Sequence, residues 1–534
     1  MRRRVQFRSH RVRLACVAAV VFVLLVTTLS AAATPPSRGP APRLVVLIVL
    51  DQFRSDYLDR FASRFGGGGF LRLARDGARF DDCAYPYAIT QTSPGHATLA
   101  TGTTPDRHGI VSNEWLDRAS GKMVLSVEDA AAPLLGATPD QPGCSPRRLV
   151  GDTLADEMRL ATQGRSKVFG LSVKARSAIF ATGRGANGAF WYDEASGRMI
   201  SSRYYGAALP GWVEEFNAAR PADRYLGREF TAGGARVVGL GAPGGAPDRA
   251  YYEALAKTPF IHDLLFEFAR ETVRREGLGA DDAPDFLFVG LSGHDYLGHQ
   301  VGPYSEAIGA MAARTDEQIA GFLRFLDERV GAGRYLVALS SDHGVAPTMA
   351  QGETAGVPGH AIDTVRLRRA MEQALRDRFD AADAIHRQDE PLAVWFDAAV
   401  LERRHATISE AARVAGAAAA ATDGILGFVG PGGATDLDRV TAEAYRLSTY
   451  PGRSPDLFIV PLPFASDRAA APANHGTPWG HDARVPLLFY GPAFRSGVSR
   501  EACTPADLAP TLAAALGIPP PAMATGRVLE RALR

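Results

Sequence analysis

Cysteine, net charge and long apolar runs are all scarce in this chain of 534 residues. It has four cysteines, and only Cys83, Cys144 and Cys503 lie beyond the N-terminal leader. Their spacing has no zinc-finger pattern, and an odd count leaves at least one thiol free even where export permits a disulfide. The chain carries 59 basic and 58 acidic residues. Six of the arginines fall between Arg2 and Arg13, so the remainder is net acidic, which argues against a nucleic-acid binder. After Leu29 no apolar run is long enough to cross a bilayer. The glycine run Gly66–Gly69 is not followed by Gly-Lys-Ser/Thr, which excludes a phosphate loop of the nucleotide-binding kind. No internal repeat is present.

The first residues read as an address rather than as fold. A basic stretch precedes an apolar run from Leu14 to Leu29, and small residues follow at Ala31 and Ala33. This is the pattern of a secretory signal peptide over residues 1–33, with a linker at 34–43. An uncleaved single anchor is the alternative. Cys16, with Arg13 three residues before it, is a poor lipoprotein site. The expected location is periplasmic or secreted. The mature protein is expected to be a monomer with neither stable membrane insertion nor a nucleic-acid partner.

Residues 44–534 alternate short apolar runs with amphipathic ones. "LVVLIVL", "KVFGLSV", "FLFVGLS", "YLVALSS", "DLFIV" and "VPLLFYG" read as buried strands. "GGFLRLARDGARF" and "MAARTDEQIAGFLRFLDERV" read as helices. That alternation predicts an α/β fold with a mainly parallel sheet sandwiched by helices. The regions at about 114–285 and 352–471 read as inserted cap segments above the sheet. The Ala-rich "AARVAGAAAAATDG" reads as a surface helix.

Metal-type ligands come after the strand-like runs. Asp51 follows "LVVLIVL", Asp295 and His299 follow "FLFVGLSGH", Asp342 and His343 follow "YLVALSS", and His475 precedes "VPLLFYG". In open α/β sheets ligands bind beyond the strands' carboxyl ends. Taken singly, each residue has an ordinary reading. A lone Asp after a strand is an Asx turn or a cap, and Asp295 with His299 is a solvated i,i+4 pair. Together, in a chain with only 12 histidines, they form a set whose burial would be costly unless a cation paired it. Carboxylate plus imidazole suits zinc and related divalent ions. His294, His360 and His481 look similar and are assigned structural roles.

The stretch "TSPGH" lies ahead of a short helical run. Pro94 suits the first helical position with Ser93 as N-cap, and Gly102 is a plausible stop. Thr92 then sits at the helix mouth, where free N–H groups favour an anion. A metal beside it would lower its hydroxyl pKa and make it a nucleophile. Spacing alone leaves Ser93 open as the alternative.

The ordered set of Asp51, "TSPGH", "TGTTPDRHGIVSN", "DYLGH", "SSDHG" and a C-terminal His-Gly resembles the alkaline phosphatase superfamily, in its branch related to the nucleotide pyrophosphatase/phosphodiesterases. The resemblance runs from about Leu44 to Pro492. It implies an alkaline-phosphatase-like catalytic domain over 44–534 with two divalent metal ions, zinc in most members. Asp51, Thr92, Asp342 and His343 would hold one ion, and Asp295, His299 and His475 the other. Thr92 would be the nucleophile, and Asn113 would hydrogen-bond a phosphoryl oxygen. His475 is chosen over His481 because the family's ligand lies in the His-Gly pair.

"GLSVKARSAIF" carries Lys174 and Arg176 after a strand, projecting the same way if the segment is extended. Alone, a Lys-x-Arg pair is solvated charge. Here it resembles the PafA-type alkaline phosphatases, whose Lys and Arg contact the phosphate. A monoester dianion has one more charged oxygen than a diester, so cations placed over it favour the monoester, and arginine adds bidentate recognition. The implied activity is an exported alkaline phosphatase acting on small-molecule phosphate monoesters through a phosphothreonine. A phosphodiesterase or nucleotide pyrophosphatase with the same metals is the alternative. A sulfatase is disfavoured because "TSPGH" lacks the arginine of the formylglycine motif. A phosphoglycerate mutase does not suit an exported chain. A binding protein without turnover is the non-enzymatic reading.

Overall fold

The computed structural model describes residues 41–137, 141–357, 359–389, 392–467 and 472–534. The signal-peptide reading of residues 1–33 and most of the linker lie outside them. Among the described residues no helix is long and apolar enough to cross a membrane.

A ten-stranded sheet organises the chain. Its strands are β1 (Leu44–Leu50), β2 (Ala78–Phe80), β3 (Leu134–Leu135), β4 (Val168–Ser172), β5 (Gly188–Tyr192), β6 (Met199–Ser202), β7 (Asp285–Leu291), β8 (Tyr335–Ser340), β9 (Leu487–Tyr490) and β10 (Gly497–Ser499). The spatial order is β10-β2-β9-β8-β1-β7-β4-β5-β6-β3. The five central strands, β8-β1-β7-β4-β5, run parallel. Antiparallel pairs appear only towards the edges. All seven residues of β1 are buried. An unbroken Val/Leu/Ile run does this because helices cover both faces of a parallel sheet, leaving no solvent face that would demand alternation. One apolar layer packs Leu44, Val46 and Ile48 against helices Phe260–Glu276 and Glu306–Leu326. The other packs Val45, Leu47 and Val49 against helix Leu508–Leu516.

Two sequence expectations change here. The stretch at about 114–285 is not a cap lying wholly above the sheet, because it supplies β3, β4, β5 and β6 to it. Crossovers separate β3, β4 and β5 in sequence while a short turn joins β5 to its antiparallel neighbour β6, and sequence order does not reveal spatial order. The run "DLFIV" is a strand, Leu457–Pro461, but of a different sheet. It lies in a four-stranded sheet with Ile385–Asp389, Ala393–Phe396 and Ile425–Val429. That sheet and helices Thr364–Phe379 and Ile408–Ala420 form a lobe with its own apolar core, within the segment expected as the second insertion. The Ala-rich helix buries Ala411, Ala412, Ala415 and Ala419 there.

Candidate active site

The site is assembled at the carboxyl ends of the central strands. Asp51 directly follows β1, and its N–H donates to the carbonyl of Leu291 at the end of β7 (3.1 Å). Asp342 and His343 follow β8 after a single serine. Helix α3 (Gly293–Val301) starts just after β7 and carries Asp295 and His299 one turn apart. His475 arrives on the loop before β9. These residues form two groups, Asp51/Asp342/His343 and Asp295/His299/His475, and within each the ligand-type atoms lie within 4.8 Å of one another. The His343 and His475 rings stack at 3.6 Å between centroids, so the groups adjoin.

The imidazoles are oriented as metal ligands are. Each pairs Nδ1 with a backbone carbonyl: His299 with Ala473 (2.8 Å), His343 with Gly344 (3.0 Å) and His475 with Thr90 (2.8 Å). That leaves every Nε2 facing carboxylate oxygen, as in Nε2 of His299 to Oδ1 of Asp295 (3.2 Å) and Nε2 of His343 to Oδ1 of Asp51 (3.5 Å). A carbonyl on the far nitrogen fixes the tautomer in which the near one has a free lone pair. Oδ1 of Asp51, Oδ2 of Asp342 and Nε2 of His343 are buried without a hydrogen-bond partner. Orphaned carboxylate and imidazole atoms converging this way fit divalent cations.

The electrostatics carry the same message. Burial raises the Asp51 carboxyl well above the usual range, Asp342 adds repulsion, and Lys174 offsets only part of this. Burial also opposes ionisation of Asp295, but Lys174 and His299 outweigh it and hold that carboxyl well below the usual range. Burial and the neighbouring His343 and His299 push His475 well below the ordinary imidazole value, so it remains neutral and able to ligate.

Lys174 is central to the site. Its ammonium lies 2.7 Å from Oδ2 of Asp51, 2.6 Å from Oδ2 of Asp295 and 3.4 Å from Oγ1 of Thr92. It also sits 5.3 Å from the Tyr296 ring centroid, and the Tyr296 hydroxyl donates to Glu194. The backbone differs from expectation. Lys174 is the N-cap of helix α2 (Ala175–Thr182), so Arg176 lies in a helical turn and not two residues along an extended segment. The two cations still feel one another, the Arg176 charge opposing that of Lys174. Arg176 lines a cavity of about 400 Å³ together with Asn113, Gln91 and Trp191, and its buried Nε has no partner.

Thr92 opens helix α1 (Thr92–Thr101). The N-cap is Gln91, with extended backbone and no side-chain cap bond, rather than Ser93. Ser93 and Pro94 are the second and third helical residues, still in the first turn, where a missing N–H costs nothing. Gly102 ends the helix in the left-handed conformation, as expected. The two hydroxyls part company. Oγ1 of Thr92 faces Lys174, whereas Oγ of Ser93 pairs with Oγ of Ser126 (2.8 Å). The Ser93 N–H donates to Oδ1 of Asn113 (2.9 Å), and Oε1 of Gln91 accepts from the Asn113 N–H (3.0 Å). The Asn113 amide is thus held beside Thr92.

Four contributors were not legible from residue type. Gln52, with φ of 64°, donates its N–H to Oδ1 of Asp342 (3.1 Å) and its amide to Oδ1 of Asp295 (2.8 Å), tying the two groups together. Gly298 makes room for that amide, since a Cβ there would stand 2.0 Å from Oε1 of Gln52. Gly95 lets α1 press on β8's outlet, where a Cβ would lie 2.3 Å from the Asp342 carbonyl. Nδ1 of His96 bonds the Thr92 carbonyl (2.9 Å) and lies 3.3 Å from Oδ2 of Asp342. The one available signal was the Gly-His inside "TSPGH". The three set-aside histidines stay outside both groups. His294 is buried beside Thr315, His360 opens a lobe strand, and His481 packs on Phe464.

Fold and site together define a member of the alkaline phosphatase superfamily. Within it, the chain belongs to the type I phosphodiesterase/nucleotide pyrophosphatase family, whose profile matches residues 45–463. It is 30% identical to alkaline phosphatase PhoV of Synechococcus elongatus, over 93% of this chain and 94% of that one. It is 31% identical to alkaline phosphatase PafA of Elizabethkingia meningoseptica, over 92% and 95%. The crystal structure of wild-type PafA superposes with a TM-score of 0.86 at 28% identity, covering 93% of this chain and 99% of that one. Murine ectonucleotide pyrophosphatase/phosphodiesterase 5 shares the fold, with a TM-score of 0.52 at 15% identity over 89% and 96%.

Proposed function

We propose that this chain is an exported, metal-dependent phosphomonoesterase that hydrolyses small phosphate monoesters through a phosphothreonine at Thr92. The observation that carries the reading is the Lys174 ammonium, buried between the two ligand groups and 3.4 Å from the Thr92 hydroxyl. The likeness to two alkaline phosphatases over nine-tenths of each chain supports it.

Asp51, Thr92, Asp342 and His343 would hold one divalent ion, and Asp295, His299 and His475 a second, with zinc the ion best matched to these donors. Bound there, the ions supply charge that favours the Thr92 alkoxide and offsets charge on the ester. The chain's own groups do the rest. The α1 N-terminus and Lys174 draw the dianion to Thr92. The Asn113 side-chain amide, whose Oδ1 accepts from the Ser93 N–H while the Asn113 backbone N–H donates to Gln91, donates to a phosphoryl oxygen. Arg176 offers a fork from the adjoining cavity wall. Oγ1 of Thr92 forms the new P–O bond as the bond to the alcohol breaks, and the alcohol departs taking up a proton. Water then cleaves the phosphothreonine, releasing phosphate and restoring the hydroxyl. Positioning and charge dominate such catalysis.

A second reading, a phosphodiesterase or nucleotide pyrophosphatase on the same metals, is favoured by the family's own description and by the space beside Arg176. A paired assay decides between them: p-nitrophenyl phosphate against bis-p-nitrophenyl phosphate at alkaline pH with zinc, each with and without chelator. A chelator-sensitive preference for the monoester is expected. Preference for the diester would overturn the monoesterase reading while keeping the metal site.

A further inference from the structure

A second cavity, of about 240 Å³, opens beside His299 and His475 and runs on to Gln91 and Asn113 next to Thr92. Its walls come from two places. The lobe supplies Leu392, Pro461 and Phe464, and the segment before β9 supplies Trp479 and His481. An in-line displacement at phosphorus expels the alcohol on the side opposite the nucleophile. With Thr92 joining the Asp51 group as proposed, the alcohol portion of the substrate would point towards the adjoining His299/His475 group, which this cavity borders.

The lining suits a flat, apolar group. Phe464 and Trp479 present partly exposed aromatic rings, with Leu392, Tyr445 and Pro461 completing the surface. Nε1 of Trp479 donates to the Pro461 carbonyl (3.2 Å), which braces the indole against the lobe. The Phe464 and His481 rings lie 4.7 Å apart. Leu392 and Phe464 both hold left-handed backbone, with φ of 54° and 60°. Bulky residues rarely adopt it, and such strain gathers where surroundings over-determine a ligand-facing wall. The volume falls below the ~300–1,000 Å³ of drug-sized sites, which limits the occupant to a ring or two.

We infer that this cavity is a leaving-group subsite, and that the enzyme selects phosphate monoesters of aromatic alcohols over those of small alkyl alcohols. The inference rests on the phosphomonoesterase reading. The experiment compares kcat/KM for 1-naphthyl phosphate and methyl phosphate in the parent enzyme and in Phe464→Ala and Ala465→Leu. The first variant strips the wall and the second fills the space. Comparing each variant with its parent cancels the chemical difference between the two leaving groups. Each variant should lower the naphthyl-to-methyl ratio about tenfold, as loss of an apolar pocket contact does. The loss should appear in KM for the naphthyl ester, because the contact is made equally in ground and transition states. Ratios within twofold of the parent in both variants would overturn the subsite while leaving the phosphatase intact. A parent inert on both esters would instead overturn the phosphomonoesterase reading, and the subsite with it.

Discussion

Replacing Gly298 with alanine separates the metal site from the fold that carries it. Gly298 lies within α3, where alanine is favoured over glycine by ~1 kcal/mol. The added Cβ would stand 2.0 Å from Oε1 of Gln52. That oxygen is the tip of a flexible side chain, so the clash is relieved by swinging the amide away. Nε2 of Gln52 moves with it and loses its 2.8 Å bond to Oδ1 of Asp295. A buried hydrogen bond to a charged group contributes ~1.5–3 kcal/mol. The two effects leave a net loss of about 1 kcal/mol, which for a domain of this size shifts Tm by only ~1 °C. Metal affinity is the sensitive readout, because losing a residue that orients a ligand costs ~10–100-fold. Lys174 and His299 still hold Asp295, so a loss of about tenfold is expected. The assay is zinc titration of metal-stripped protein against a chromophoric chelator, with Gly321→Ala as control. Gly321 lies in helix Glu306–Leu326, with arginine side-chain tips no nearer than 3.4 Å to an added Cβ. That control should gain slight stability and bind zinc unchanged. Unaltered zinc affinity in Gly298→Ala would refute the claim that Gln52 positions Asp295.

Other perturbations test the same geometry. Thr92→Ala should lower turnover at least a thousandfold, whereas Ser93→Ala, whose hydroxyl faces Ser126, should keep it within about tenfold; the reverse pattern would reassign the nucleophile. Arg176→Ala should lower monoester kcat/KM by about a hundredfold and leave diester turnover nearly unchanged, and equal losses on both would sink the dianion argument. Burial pushes the Asp482 carboxyl up to about 7. Between pH 4 and 7 the folded state therefore holds a proton that the unfolded chain has lost, and stability falls as pH rises through that window. Asp482→Asn should flatten that fall by a few kcal/mol at most, measured by urea unfolding at pH 5 and pH 8. An unchanged difference between the two pH values would show that Asp482 ionises normally.

Much of the site was legible before the structure because a parallel strand delivers the residues after it to the sheet's carboxyl edge. "LVVLIVL" could only be a doubly covered strand, and Asp51 had to emerge beside the outlets of similar runs. The helical spacing of Asp295 and His299 was equally local. The six ligand-type residues and Thr92 were thus readable as a set. The path of the chain beyond Ser172 was not, since a helix begins almost at once and places Arg176 in its first turn rather than in an extended segment.

By itself, then, the sequence determined the α/β class, the residues that reach the crevice and the presence of a helix behind Thr92. These depend on periodicity and on which residue comes after which strand, and both are local. The family resemblance had divided the six ligands into two groups and chosen His475 over His481; the tertiary structure alone decided which of two adjacent hydroxyls faces Lys174. It also decided that Gln52 spans the groups through space kept open by Gly298, and that a lobe wall closes on the crevice. These features depend on contacts between segments far apart in the chain. Their register comes from packing across the whole core, and no stretch of residues carries it alone.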